Sequence, residues 1–187
     1  MRPFVVIFSI FVGITSAVDA QSSKTNKSDA PPLTLSVKVD RQSYRLSDRI
    51  RVETEVLNTG KSDIYIWKWD LCWNFARGLS MHVVEANGTP VQGDVLFDCV
   101  PPPPKEGDIY AFVRLEPGQF YGIVDQIKVT DIVNKPGELK ITVTYSGSLS
   151  SKIVQELLKH DPIAKLPLWT AEQGAIEAPP VYITVQP

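Results

Sequence analysis

The sequence predicts an all-β protein, an antiparallel β-sandwich of seven or eight strands with one short inserted helix near the C-terminus. Three observations lead there. Apolar and polar residues alternate with a period of two over several short runs, the pattern of strands with one dry and one wet face. Gly, Pro, Asn and Asp interrupt these runs about every eight to twelve residues, as turns do in a sandwich. Only one run has helical spacing, which argues against a parallel sheet alternating with helices.

The chain of 187 residues opens with MRPFVVIFSIFVGITSAVDA. Arg2, the apolar run from Phe4 to Ile14 and the small residues before Gln21 make residues 1–20 a secretory signal peptide cleaved after Ala20. The run is about half the ~20 residues that a membrane-spanning helix needs. Residues 21–32 are polar, lack aromatics and end in two prolines, so they form a flexible leader with too little apolar surface to order itself. Residues 33–187 are then a single domain, large enough to bury roughly 70% of its unfolded surface around one core.

Within that domain, Leu33, Leu35, Val37 and Val39 alternate with polar residues, and so do Ile50, Val52, Thr54 and Val56. Asn58, Gly60 and Asp63 break the second run in a turn, and a third strand follows in DIYIWKW, from Asp63 to Trp69. LSMHVVEANGTPVQG is a hairpin, with Asn87-Gly88 as the pair suited to a two-residue turn with positive φ at both positions. Further strands are expected in IYAFVRL, FYGIVDQIKV, ELKITVTYS and VYITVQP. The helical segment, about 151–161, places Ile153, Val154, Leu157 and Leu158 on one face, with Ser151 as its cap and Asp161-Pro162 as its stop.

The turn residues Asn58, Gly88, Pro117-Gly118 and Pro136-Gly137, in EVLNTGKSDIYI, MHVVEANGTPV, RLEPGQ and KPGELKITVTY, carry a resemblance. Their order is similar to that of secreted bacterial immunoglobulin-like domains, and especially of the intracellular proteinase inhibitor (BsuPI-like) family, over about residues 33–146. The resemblance implies an immunoglobulin-like Greek-key sandwich and, as one functional expectation, inhibition of an exported protease.

Composition excludes several function classes. A formal net charge of −2, mixed along the chain, offers no footprint for nucleic acid or an anionic membrane. No G-x-S-x-G, H-E-x-x-H, Cys-x-x-Cys or phosphate-cradling Gly loop occurs, so no catalytic residue and no cofactor is expected. The two histidines have structural places: His82 on the wet face of a strand, and His160 as a cation at a helix C-terminus. Asp94, Asp98 and Asp108 crowd one loop without the spacing of a calcium loop, so no metal is expected either.

The two cysteines, Cys72 and Cys99, sit in a chain read as exported, which predicts a disulfide between them. Closing a loop of about 28 residues would stabilise the fold by roughly 3 to 4 kcal/mol. Next to Cys99 run four prolines, Pro101, Pro102, Pro103 and Pro104, which form either a stiff bridge or an extended segment that an aromatic groove could hold. Strand alternation over residues 64–69 sends Ile64, Ile66 and Lys68 one way and Tyr65, Trp67 and Trp69 the other. The second face needs a cover or a ligand. The candidate binding surface is therefore Tyr65, Trp67, Trp69 and Trp73 with Pro101–Pro104, brought together by the disulfide. The expected role is a secreted or periplasmic, non-catalytic module that binds another extracellular or periplasmic protein or serves the envelope, with a polysaccharide as the alternative ligand.

Overall fold

A computed structural model describes residues 32–73, 78–91, 102 and 104–187. The expected signal peptide, residues 21–31 of the leader, Cys99, Pro101 and Pro103 lie outside the described residues. In chain order the elements are β1 (Leu33–Val39), β2 (Ser43–Arg45), β3 (Arg49–Asn58), β4 (Ile64–Trp67), β5 (Gly78–Glu85), β6 (Phe112–Leu115), β7 (Phe120–Lys128), β8 (Gly137–Ser146), α1 (Ser151–Leu157), β9 (Ala175–Glu177) and β10 (Val181–Gln186).

The fold is an all-β sandwich with one short helix. One sheet has the order β1-β3-β7, and the other has the order β2-β10-β8-β5 with β9 paired to β8. From β1 to β8 chain-adjacent strands thus belong to different sheets, whereas β8, β9 and β10 share one. Leu35, Ile50, Val52 and Val56 from the first sheet meet Leu79, Leu139, Ile141, Val143 and Ile183 from the second in one buried core. The apolar members of each alternating run supply this core. Pairing is antiparallel except between β10 and β2, which run parallel from Thr184↔Ser43 to Gln186↔Arg45.

Local chemistry altered four of the expected features. The three-residue strands β2 and β9 were not legible, because three residues hold too little of a period. The strand expected to run to Trp69 ends at Trp67, and Lys68–Leu71 form a 3₁₀ turn. The hairpin after β5 is not the expected two-residue turn, since within it Asn87 does not have positive φ and only Gly88 does, at +85°. The Gly88 N–H donates to the Glu85 carbonyl at 2.8 Å and the Glu85 N–H to the Thr89 carbonyl at 2.8 Å. That is a right-handed turn followed by a left-handed glycine, the usual three-residue hairpin loop. Finally, α1 is capped by Ser150, whose side chain accepts from the Ile153 N–H at 3.1 Å. Ser151, the expected cap, instead donates its hydroxyl to Glu172 at 3.0 Å.

The third sheet is the small ribbon β4-β6, paired from Ile64↔Leu115 to Trp67↔Phe112. On the outer edge of β4, the Tyr65 N–H donates to the Pro167 carbonyl at 2.9 Å and the Trp169 N–H to the Tyr65 carbonyl at 2.8 Å. The C-terminal segment therefore closes one side of the ribbon.

Candidate functional site

What covers the second face of β4 decides which aromatics a ligand could reach. Trp67 and Phe112 pack with Leu149, Val154, Leu158 and Ile163 in a second buried cluster, with Tyr65 and Ile153 at its margin. The apolar stripe of α1 and the turn Pro162–Lys165 provide the cover. The helix ends before His160, which is exposed. Asp161 starts the next turn by accepting from the Ile163 N–H at 2.9 Å and also accepts from the Gly107 N–H.

Beyond Trp67 the 3₁₀ turn breaks the alternation. Trp69 swings out to 44% exposure while Asp70 is fully buried. The Asp70 carboxylate accepts from the Ser148 N–H at 3.0 Å, from the Ser148 hydroxyl and from the Tyr145 hydroxyl at 3.5 Å. Burial pushes the Asp70 carboxyl up to about 6, against the hydrogen bonds from Ser148 and Tyr145 that favour its ionised form. The same burial, reinforced by the Asp70 charge, holds the Tyr145 phenol well above its ordinary value. Gly78 fits this turn for a steric reason: at φ +77° a Cβ there would lie 2.5 Å from the Asp70 carbonyl oxygen.

So anchored, the turn forms one wall of an open groove of about 930 Å³. Trp69, Leu71 and Trp73 stand on this wall and Tyr110 beside it, facing Tyr121, Ile123 and Asp125 of β7. The register pairs Tyr121 with Val56, Ile123 with Thr54 and Asp125 with Val52, so these β7 side chains lie on the core face of their sheet. They are only half-buried, because β7 is an edge strand. The floor is tied to the wall by Trp73, whose indole N–H donates to Asp125 Oδ2 at 2.7 Å. Asp108 and Lys68 complete the polar rim.

The structure separates the expected surface residues. Trp69 is in the groove and exposed. Trp67 and Trp73 are corrected from surface to core, at 4% and 5% exposure: the first lies under α1 and the second joins the main core while presenting its indole edge to Asp125. Tyr65 is half-buried beside the second cluster. Pro102 is exposed and Pro104 half-buried, and neither is among the described groove residues. Cys72 lines the groove and is not a free thiol; its expected partner Cys99 lies outside the described residues.

Tyr110, Tyr121, Ile123 and Asp125 are among the groove residues that escaped sequence reasoning. One signal was present. In β7, positions 121, 123 and 127 are Tyr, Ile and Ile, and the acid at 125 interrupts that apolar face, as inward charges do on edge strands. Among the described residues, no three His, Cys, Asp or Glu side chains are grouped to hold a metal ion.

No protein-family model matches the chain, and no curated protein matches it. Among solved structures it is similar to a β-glucosidase from Erythrobacter marinus, with 16% identity and a TM-score of 0.37 over 82% of this chain and 15% of that one. It is also similar to a β-glucosidase from Listeria innocua, with 10% identity and a TM-score of 0.36 over 83% of this chain and 16% of that one. The chain thus spans about a sixth of the length of those structures or less.

Proposed function

We propose that the protein is an exported, non-catalytic binding module that recognises another extracellular or periplasmic protein through the groove between β7 and the 68–73 turn. One observation carries this reading: Trp69 and Tyr110, at 44% and 82% exposure, stand open at a groove floored in part by Tyr121 and Ile123. Exposed aromatics beside an apolar cleft are what an interface anchors on, because they offer large contact area at little rotamer cost. The proposed Cys72–Cys99 bond would fasten this wall to the proline segment, and the proposed signal peptide would deliver the chain to the oxidising compartment where that bond lasts.

Affinity capture from the secreted fraction with the full chain and with Trp69→Ala, Tyr110→Ala tests the reading. Partners retained by the native groove should fall by about tenfold or more with the double variant. An unchanged partner set would sink it.

Polysaccharide binding is the second reading, favoured by the placing of Asp108 and Asp125 beside the aromatics, a combination that could accept from sugar hydroxyls while a ring stacks. Retention on polysaccharide resins that disappears with Trp69→Ala would select it. Protease inhibition rests on the family resemblance alone, and a panel of exported proteases that keep full activity would remove it.

A further inference from the structure

We infer that the groove takes an extended peptide, which adds a strand to the free edge of β7 and sets a basic side chain against Asp125. This rests on the groove reading above and names its ligand class.

β7 is nine residues long and pairs with β3 from Arg49↔Lys128 to Leu57↔Phe120. Among the described residues no strand lies on its other side. A strand of that length with one free edge presents a row of unpaired N–H and C=O groups, which is a template for another strand. Its solvent face is apolar in part, with Phe120 at 62% and Val124 at 50% exposure. The β6–β7 connection does not fill the space, because β6 turns away to pair with β4.

A strand added there has its side chains placed by the pleat. Alternate residues would point the same way as Tyr121, Ile123 and Asp125, into the groove, and the rest would lie beside Val124 in solvent. The groove then acts as a row of side-chain pockets under a strand held by its backbone. Trp69, Leu71, Trp73 and Tyr110 form the far wall of those pockets.

Charge selects among strands. Asp125 spends Oδ2 on the Trp73 indole, which leaves its second oxygen for a ligand. With Asp108 the groove carries two carboxylates against the ammonium of Lys68. A strand with Lys or Arg opposite Asp125 and a bulky apolar residue two positions away, beside Ile123, matches both features. A second copy of β7 does not. In antiparallel self-pairing centred on residue 123, Asp125 meets Tyr121, and centred on residue 124 it meets Ile123; neither supplies a cation.

The test uses a random linear decapeptide library displayed on phage, selected on the full chain, followed by titration of synthetic copies of the selected peptides. The expected peptides share a basic and a bulky apolar residue two positions apart. N-methylation of their backbone amides at one alternate set of positions should weaken binding by about tenfold or more, while the other set is tolerated, since only one set faces β7. Asp125→Asn should weaken basic peptides and leave the melting temperature near that of the native chain. Binding that is lost with Trp69→Ala but indifferent to the phase of N-methylation would overturn strand addition and leave the groove reading standing. Phase-dependent binding unaffected by Trp69→Ala would keep strand addition and overturn the groove reading. A library that yields no binder, with Trp69-dependent retention on polysaccharide, would overturn strand addition in favour of a glycan. A β7-mediated dimer in sedimentation, broken by Val124→Lys, would overturn it in favour of self-pairing.

Discussion

Asp70 stands inside an aromatic and aliphatic run, where a carboxylate is costly unless donors meet it. Ser148 and Tyr145 meet it, and the turn that carries Trp69 is held to the end of β8 as a result. With a folded value of about 6 against 3.8 for the ordinary carboxyl, the folded state holds this proton more tightly than the unfolded chain. Its contribution to stability is therefore complete below about 3.8 and is lost as the pH rises through about 6. The difference corresponds to roughly 3 kcal/mol. Urea midpoints of the native chain should rise between pH 7.5 and 4.5, and Asp70→Asn should flatten that rise. Thr54 poses the opposite case. It is fully buried on the core face of β3 and its hydroxyl has no partner. Thr54→Val removes a buried unpaired donor at nearly constant volume and should raise stability by about 1 kcal/mol in denaturant melts. Asn58 shows how a turn residue can be structural. Its side-chain amide donates to the Ser62 and Leu115 carbonyls at 2.9 and 2.8 Å, joining the end of β3 to β6. None of these three environments was legible locally, because burial of Thr54 and the contacts of Asp70 with Ser148 and Tyr145 and of Asn58 with Leu115 all depend on other elements.

At the scale of elements, α1 and β4 show how much a local pattern determines. The apolar stripe of the 151–161 segment and the two-sided apolar character of β4 were both readable from spacing. That they cover each other was not, since nothing in either segment names its partner. The contact makes Leu158 and Val154 the lid on Trp67. Leu158→Ala should cost about 2 to 4 kcal/mol by leaving a cavity in that cluster. Acrylamide quenching should report the same arrangement without unfolding: Trp69 is the open indole, so Trp69→Phe should remove most of the quenchable emission, whereas Trp67→Phe should remove little of it. Strong quenching that persists in Trp69→Phe would contradict the cover. β7 was legible as a strand but not as an edge, because pairing on one side only is a property of the sheet.

For the whole molecule, the groove exists because two sheets and a ribbon share one chain. β6 leaves β7 to pair with β4, and the gap between them is bounded by the turn that Asp70 anchors. The proposed Cys72–Cys99 bond would act at this scale, closing a loop of about 28 residues, and its removal in Cys72→Ser, Cys99→Ser should cost roughly 3 to 4 kcal/mol and lower the melting temperature by several degrees. An unchanged melting temperature for that variant, and for the native chain under reductant, would show that no such staple contributes. What the sequence by itself determined is the all-β sandwich, most of its strands and the one helix, because period-two alternation, turn residues and a helical stripe act over a few neighbouring residues. Only the tertiary structure decided that Trp67 and Trp73 are core, that Trp69 is open, and that Tyr110, Tyr121 and Asp125 join it. Exposure depends on what packs across the fold from distant positions, and an aromatic residue reads the same in a core as on a platform until its neighbours in space are known.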